Sequence, residues 1–569
     1  TQSLLRSPMI PRNTSWRKCM SRIAHLALIL LIGISLPETV TAEDSTAPNI
    51  SLVQINAEGM IADLKYLVLD LADDKKGWSN LDELLPTFLE GIDKQRPMRV
   101  DILLGENQKE RYRLILPVSD LGMFREALEV FEITVKKQRN GPYLLGNLFV
   151  GFMKYLPDEK YVVISEKLSE VDEIKDPLKR VQELLNQKFD FSALITNEKE
   201  GVDARKKSME NTRKQLLAAV KKKRDETENA YELRKLAFAH QMDELERLFA
   251  ESQKMVIGWT TDATANEGRL EFTLKAIEGT SLDNSIKQFA TKPSYFANVP
   301  VKQDGILNGR INHPVDEMRK ANITAFYKLL LPSLKNRIAD DKKLTEEQKT
   351  ASSKVAELII QMLDAGIKAS VIDGFIDSNP VADGKYVMLG GIRSTDGAKL
   401  REIVELLPKV LIGQTVELDF VKEAGLNIHK INIRAQQQAG FDELFGTGEA
   451  LYAGSTPDAL WMAAGPDAVE RIKAAVKMVS EAPPEKVSPN VIELNVKSLP
   501  WLKLMDKLRE KKGNQEIRDL ALKSLTSTDD TFTFVMKREG DSIDGKAKLD
   551  KGILRFIGNI IAKFSKETL

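Results

Sequence analysis

The side chains best suited to metal or acid–base chemistry in this chain are three histidines downstream of residue 42: His240, His313 and His429. In "HQMDE" His240 stands one helical turn before Glu244, so an imidazole and a carboxylate could share a metal ion. That spacing is not the HExxH spacing, and a solvated pair on a helix explains it equally well. His429 alternates with Ile428 and Ile431 in a strand-like run that has no acidic neighbour, and His313 precedes Pro314, which marks a turn. The run "DATANEG" from Asp262 to Gly268 resembles a calcium loop, with Asp262, Thr264 and Asn266 alternating. Its glycine is displaced by one position and its closing position is Thr273, so the run reads as a hairpin turn.

Other motifs resolve in the same way. "FGTGE" (Phe445 to Glu449) and "LGGIRSTDG" (Leu389 to Gly397) are neither a dinucleotide fingerprint nor a P-loop, and turn geometry is their role. The chain has no G-x-S-x-G elbow, and its one S-x-x-K, Ser15 with Lys18, lies in a segment expected to be removed. Glycoside hydrolysis needs only two carboxylates that meet in space, and nothing in the sequence selects a pair. Lys221 to Arg224 is a local basic cluster, but acidic residues follow at once, which makes a solvated helix face. The catalytic residues are therefore unknown, and no cofactor and no metal are expected.

The segment before these residues sets the compartment. Arg12, Arg17, Lys18 and Arg22 precede the apolar run "IAHLALILLIGISL" from Ile23 to Leu36, followed by Pro37 and small residues at Val40 and Ala42. This is the pattern of a secretory signal peptide over residues 1–42, too short an apolar run to span a bilayer. The expectation is an exported bacterial protein, periplasmic or extracellular, and not an integral membrane protein once cleaved. Cys19 is the only cysteine and lies upstream of the apolar run, so the mature chain is expected to be cysteine-free and to rely on its core rather than on disulfides.

Lysine plus arginine and aspartate plus glutamate number 83 each, so no overall field draws in nucleic acid, and none is expected as a partner. Hydrophobic content of 42% in 569 residues predicts a globular protein of two or more domains.

The chain repeats itself in outline. "EKYVVISEKLSEVDEIK" (Glu159 to Lys175) and "DALWMAAGPDAVERIK" (Asp458 to Lys473) are each an apolar run, a polar break and an acid-opened helix, with Val171 and Ile174 matching Val469 and Ile472. Around them the order also repeats: a strand ending in Ile55-Asn56 or Ile311-Asn312, two helices, a hairpin, a helix, and a later long hairpin with a terminal helix. This predicts an α+β fold of two similar halves, residues 43–302 and 303–569, each of antiparallel β-hairpins with helices packed on one face of the sheet. The pattern points to internal duplication. Two insertions stand out: a charged helical projection at about 202–249, and "GLNIHKINIRAQQQAGFDELFGTG", read as an added strand and glycine-rich loop. Thr345 with Gln348 reads as a capping box.

The functional expectation is an exported, non-enzymatic binding or scaffold protein whose partner is a protein or envelope polymer. The alternative is a hydrolase acting on such a polymer through an acid pair that sequence does not identify.

Overall fold

The alternating runs of the sequence all become strands. The structure, a computed structural model, describes residues 50–568 apart from 105–109, 140, 200, 225, 303–304, 412, 424, 434, 482–486 and 509–514. The signal-peptide expectation for residues 1–42 lies outside the described residues. Among the described residues no helix is long and apolar enough to cross a membrane.

The fold is α+β: one antiparallel sheet of twenty strands with sixteen helices packed on it, counted among the described residues. The first ten strands are β1 (Ile50–Gln54), β2 (Met98–Leu104), β3 (Glu110–Pro117), β4 (Ile133–Lys137), β5 (Tyr143–Asn147), β6 (Gly151–Leu156), β7 (Tyr161–Ser165), β8 (Phe191–Thr196), β9 (Ser252–Asp262) and β10 (Glu267–Ala276). The second ten are β11 (Leu307–Pro314), β12 (Val371–Pro380), β13 (Tyr386–Arg393), β14 (Thr415–Glu423), β15 (Leu426–Asn432), β16 (Leu451–Ser455), β17 (Ala459–Ala464), β18 (Asn490–Lys497), β19 (Thr531–Glu539) and β20 (Ser542–Asp550).

Across the sheet the first ten lie in the order 4-5-6-7-3-2-1-8-9-10. The second ten lie in the same order, 14-15-16-17-13-12-11-18-19-20. The two blocks meet where β10 pairs antiparallel with β20, Glu271 opposite Lys546, so the strand order is symmetric about this seam. The repeated apolar runs occupy equivalent places, β7 between β3 and β6, and β17 between β13 and β16. Val171 and Ile174 pack onto Tyr161 and Val163 of β7, and Ile472 packs onto Trp461 and Ala463 of β17.

Helices cover both faces rather than one. All five residues of β7 are buried, so each side of this strand needs a cover. In the second half Val404 of the Ala398–Val410 helix packs on Ile431 and Ala453, while Ile472 of the Ala468–Glu481 helix packs on Trp461 from the opposite side. Local signals place the helix starts. Asp120 accepts from the Met123 amide at 3.0 Å, and the Thr345–Gln348 capping box closes at 3.2 and 2.9 Å.

The halves exchange elements. The C-terminal helix Lys551–Thr568 lays Leu554, Ile561 and Ala562 against Leu67, Val68, Leu71 and Trp78 of the first half. Gly558 is obligatory there, because a β-carbon would fall 1.9 Å from the Leu67 carbonyl oxygen. Reciprocally, Leu282 and Ile286 of the Ser281–Gln288 helix pack with Val491 and Ile543 of the second half. Ser294 to Lys302, assigned to the first half from sequence, packs into the second half's core. Asp373 accepts from Ser294 Oγ at 2.6 Å, Asp377 accepts from the Lys302 amide at 2.9 Å, and the Phe296 ring sits 5.3 Å from Trp461.

Two readings of the insertions change. Val202–Ala219 and Glu228–Glu251 form an antiparallel helical hairpin, but its second helix is tied to both halves: Phe249 packs with Ile50, Ile102 and Ile195 of the first, and ion pairs join the helix to the second. Arg319 takes both carboxylate oxygens of Glu244 at 2.7 and 2.9 Å, and Arg247 reaches Asp316 at 3.1 Å. In the second half β15 is the counterpart of β5 and not an addition; only the helix Ala435–Phe445 is extra.

Candidate functional site

The sequence candidates do not converge. Glu244 is held by Arg319, so His240 does not share it with a metal; burial lowers the His240 pKa. His313 stacks edge-on against Phe289 at 4.9 Å, and burial lowers its pKa too. His429 is fully buried and accepts the Asp419 amide on Nδ1 at 3.0 Å, which fixes it as the neutral tautomer with the proton on Nε2. "DATANEG" is the β9–β10 turn, in which Asp262 accepts the amides of Thr264 and Ala265 at 3.0 and 2.9 Å. Gly391 of "LGGIRSTDG" sits in β13 beneath the Phe296 and Phe375 rings, each 2.7 Å from where a β-carbon would lie. Lys221 to Arg224 form the exposed turn of the helical hairpin. Among the described residues no three His, Cys, Asp or Glu side chains gather as a metal would require.

The arrangement that both halves build together is at the seam. On β9, β10, β20 and β19 every second residue points to one face, which the helix Gln182–Gln187 flanks through Leu184, packed with Val256 of β9. The result is a groove of about 490 Å³, lined by Lys188, Thr260, Arg269 and Glu271 from the first half and Lys537, Glu539, Asp544 and Lys546 from the second. Its apolar wall is Phe189, whose ring lies over Gly258 so closely that a β-carbon there would come within 2.3 Å.

The groove floor is a cross-strand lattice of charges. Between strands Lys546 bridges to Glu271 at 2.8 Å and Lys548 to Glu267 at 2.5 Å, and along β19 Lys537 bridges to Glu539 at 2.5 Å. Asp544 lies opposite Thr273 on one side and Lys537 on the other. Burial raises its pKa and a hydrogen bond with Glu539 adds to this, whereas Lys537 lowers that of Glu539. The lining carries four cations, Lys188, Arg269, Lys537 and Lys546, against three carboxyls, Glu271, Glu539 and Asp544, a small cationic excess. Sequence reasoning missed this face because each of its residues reads as the solvated side of a hairpin.

A second perturbed acid lies outside the groove. Asp63, between Ile61 and Leu64 of the core-facing helix Ala57–Lys65, has its pKa raised to about 7 by burial and by Asp190. Its folded pKa exceeds that of an unfolded aspartate, about 3.9, so the stability it contributes is present in full below pH ~4 and is lost as pH rises through ~7. Asp63→Asn should therefore stabilise the protein at pH 8, by about 1–2 kcal/mol after allowing for its partial exposure, and should have little effect at pH 4.5. Thermal melts at the two pH values check this; an equal difference at both would show that the carboxyl is not titrating between them.

Comparison with protein-family models, curated proteins and solved structures finds no match to this chain.

Proposed function

We propose that this is an exported, non-enzymatic binding or scaffold protein of a bacterial envelope or the extracellular space, built by internal duplication. The seam groove is the face it offers to a protein or envelope polymer. The observation that carries the reading is that residues of both halves line one open groove on the axis of the repeated strand order. Duplication is supported by the identical strand order and by Asp101 and Asp377, buried acids at matching points of the two sheets. Asp101 lies opposite Arg113 and accepts from Ser51, and Asp377 lies opposite Leu389 and accepts from Asn308.

The test is co-sedimentation of the mature chain, from Glu43, with insoluble envelope sacculi that keep their attached polymers and proteins. The double variant Lys537→Glu/Lys546→Glu should lose at least tenfold in binding without a change in melting temperature. Unchanged binding would remove the groove from the account. The Asp544–Glu539 pair favours the hydrolase as a second reading, although carboxyls in direct hydrogen-bond contact are closer than the ~5 Å or more that flanks a glycosidic bond. Release of soluble fragments by the parent and not by Asp544→Asn would establish that reading instead.

A further inference from the structure

The repeated strand order allows the two halves to be compared residue by residue, and one corner differs. Phe152 of β6 lies opposite Ser165 of β7, and Tyr452 of β16 lies opposite Ala463 of β17, at matching points of the two ladders. Val150, two residues before Phe152, therefore matches Ala450. Val150 is 70% exposed and Ala450 is 2% exposed. The chain around them explains the difference. In the second half the β15–β16 connection carries the helix Ala435–Phe445, which lies against the start of β13, where Lys385 Nζ donates to the Glu443 carbonyl at 3.1 Å. In this helix the Phe441 and Phe445 rings meet at 4.7 Å, and Phe445 is buried. In the first half the matching connection, between β5 and β6, is only the turn Leu148 to Val150.

What the helix closes in one half is open in the other. Leu144, Leu148, Val150 and Leu168 leave an exposed aliphatic corner next to β4, which among the described residues pairs with β5 alone. Lys136, opposite Leu144, is exposed on the same face of the sheet, whereas Lys154 on that face is paired with Asp172 at 3.1 Å, so Lys136 is the cation the corner offers. The helix that fills the equivalent corner carries Asp442 and Glu443 beside its phenylalanines, the complementary charge.

We propose that this corner is a docking site for a short acidic amphipathic helix of a partner protein, with two large apolar side chains one turn apart, taking the place that Ala435–Phe445 occupies in the second half. Two aliphatic tips at high exposure supply the apolar contact, and Lys136 sets the sign of the partner. The surface is distinct from the seam groove, and either can fail without the other.

The probe is a fluorescein-labelled peptide of residues 434–449, titrated against the full mature protein and followed by anisotropy. The parent should bind it. Val150→Asp should weaken binding at least tenfold with no change in melting temperature, since the side chain is exposed, and Lys136→Glu should weaken it about threefold at low salt. A peptide with Phe441→Ser and Phe445→Ser should not bind. Absence of binding by the parent, or binding that Val150→Asp leaves intact, overturns the proposal. So does a parent that sediments as a dimer dissolved by Val150→Asp, which would make a second copy the occupant, or one that binds phosphatidylglycerol vesicles through Val150 and not the peptide.

Discussion

Asp101→Ala is expected to cost about 3–5 kcal/mol, enough to unfold much of a protein of ordinary stability at 37 °C. Asp101 is fully buried on β2 and is the anion for two guanidinium groups. Arg99 reaches it at 2.7 and 2.8 Å, Arg113 at 2.8 and 3.0 Å, and Ser51 adds a hydroxyl at 2.7 Å. Both arginines are themselves at most 2% exposed. Arg113 also reaches the Glu173 carboxylate at 3.2 Å, but that group is 41% exposed, and the Pro177 and Glu170 carbonyls, at 2.9 Å from Arg99 and 3.1 Å from Arg113, supply no net charge. Removing the carboxylate strands buried positive charge, and that desolvation penalty dominates the loss. Asp377 occupies the matching point of the second half, but its partners are Asn308, Asn379 and a backbone amide. Asp377→Ala leaves neutral donors unpaired, at about 1–3 kcal/mol. Urea midpoints of the two variants should differ in that order; an Asp101→Ala protein no weaker than Asp377→Ala would show that the arginines are otherwise satisfied.

Deleting Lys551 to Leu569 is expected to unfold the first half, although the deleted residues belong to the second. The helix covers Leu67, Val68, Leu71 and Trp78, and re-exposing several large apolar side chains at about 1.5–3 kcal/mol each exceeds the margin of a single domain. Ser565 also donates to the Gly77 carbonyl at 3.0 Å, and Lys566 pairs with Asp74. Because the truncated chain will aggregate if this is right, Gly558→Leu provides a milder second variant. It drives a side chain into the Leu67 carbonyl, and overpacking of this kind costs about 1–3 kcal/mol. The reciprocal exchange ties the halves, so calorimetry of the parent should give one transition, and Gly558→Leu should lower it as a unit. Two resolved transitions, with only one moved by the variant, would show that the halves fold independently.

Much of the element order was legible because local signals and tertiary structure agree. Alternation marked the β2–β3 and β12–β13 hairpins, Asp120 and Thr345 marked helix starts, and Val171 with Ile174 set beside Val469 with Ile472 marked equivalent helices. What stayed hidden depends on which surface covers which strand, and local sequence does not carry that. In "MRVDILL" and "ERYRLILP" the alternate positions Arg99, Asp101, Arg111 and Arg113 read as the solvent side of a hairpin. They are buried because the chain after β7 returns over them, and Glu170 reaches Arg111 at 2.6 Å. The exchange of terminal helices was invisible for the same reason: "ILRFIGNIIAKF" shows an apolar stripe but not whose core receives it. At the groove the misreading runs the other way. Glu271 and Lys546 do sit on an exposed sheet face, but only pairing between strands hundreds of residues apart sets them side by side.

The claim that the seam is the binding face is tested most directly by lysine footprinting of the mature protein with and without bound envelope sacculi, read by mass spectrometry after acetylation. Lys188, Lys537 and Lys546 should be shielded on binding, while Lys342 and Lys343, in the turn between the helices Glu317–Asp340 and Glu346–Lys368, should react as before. Binding that leaves the three groove lysines fully reactive would contradict the account.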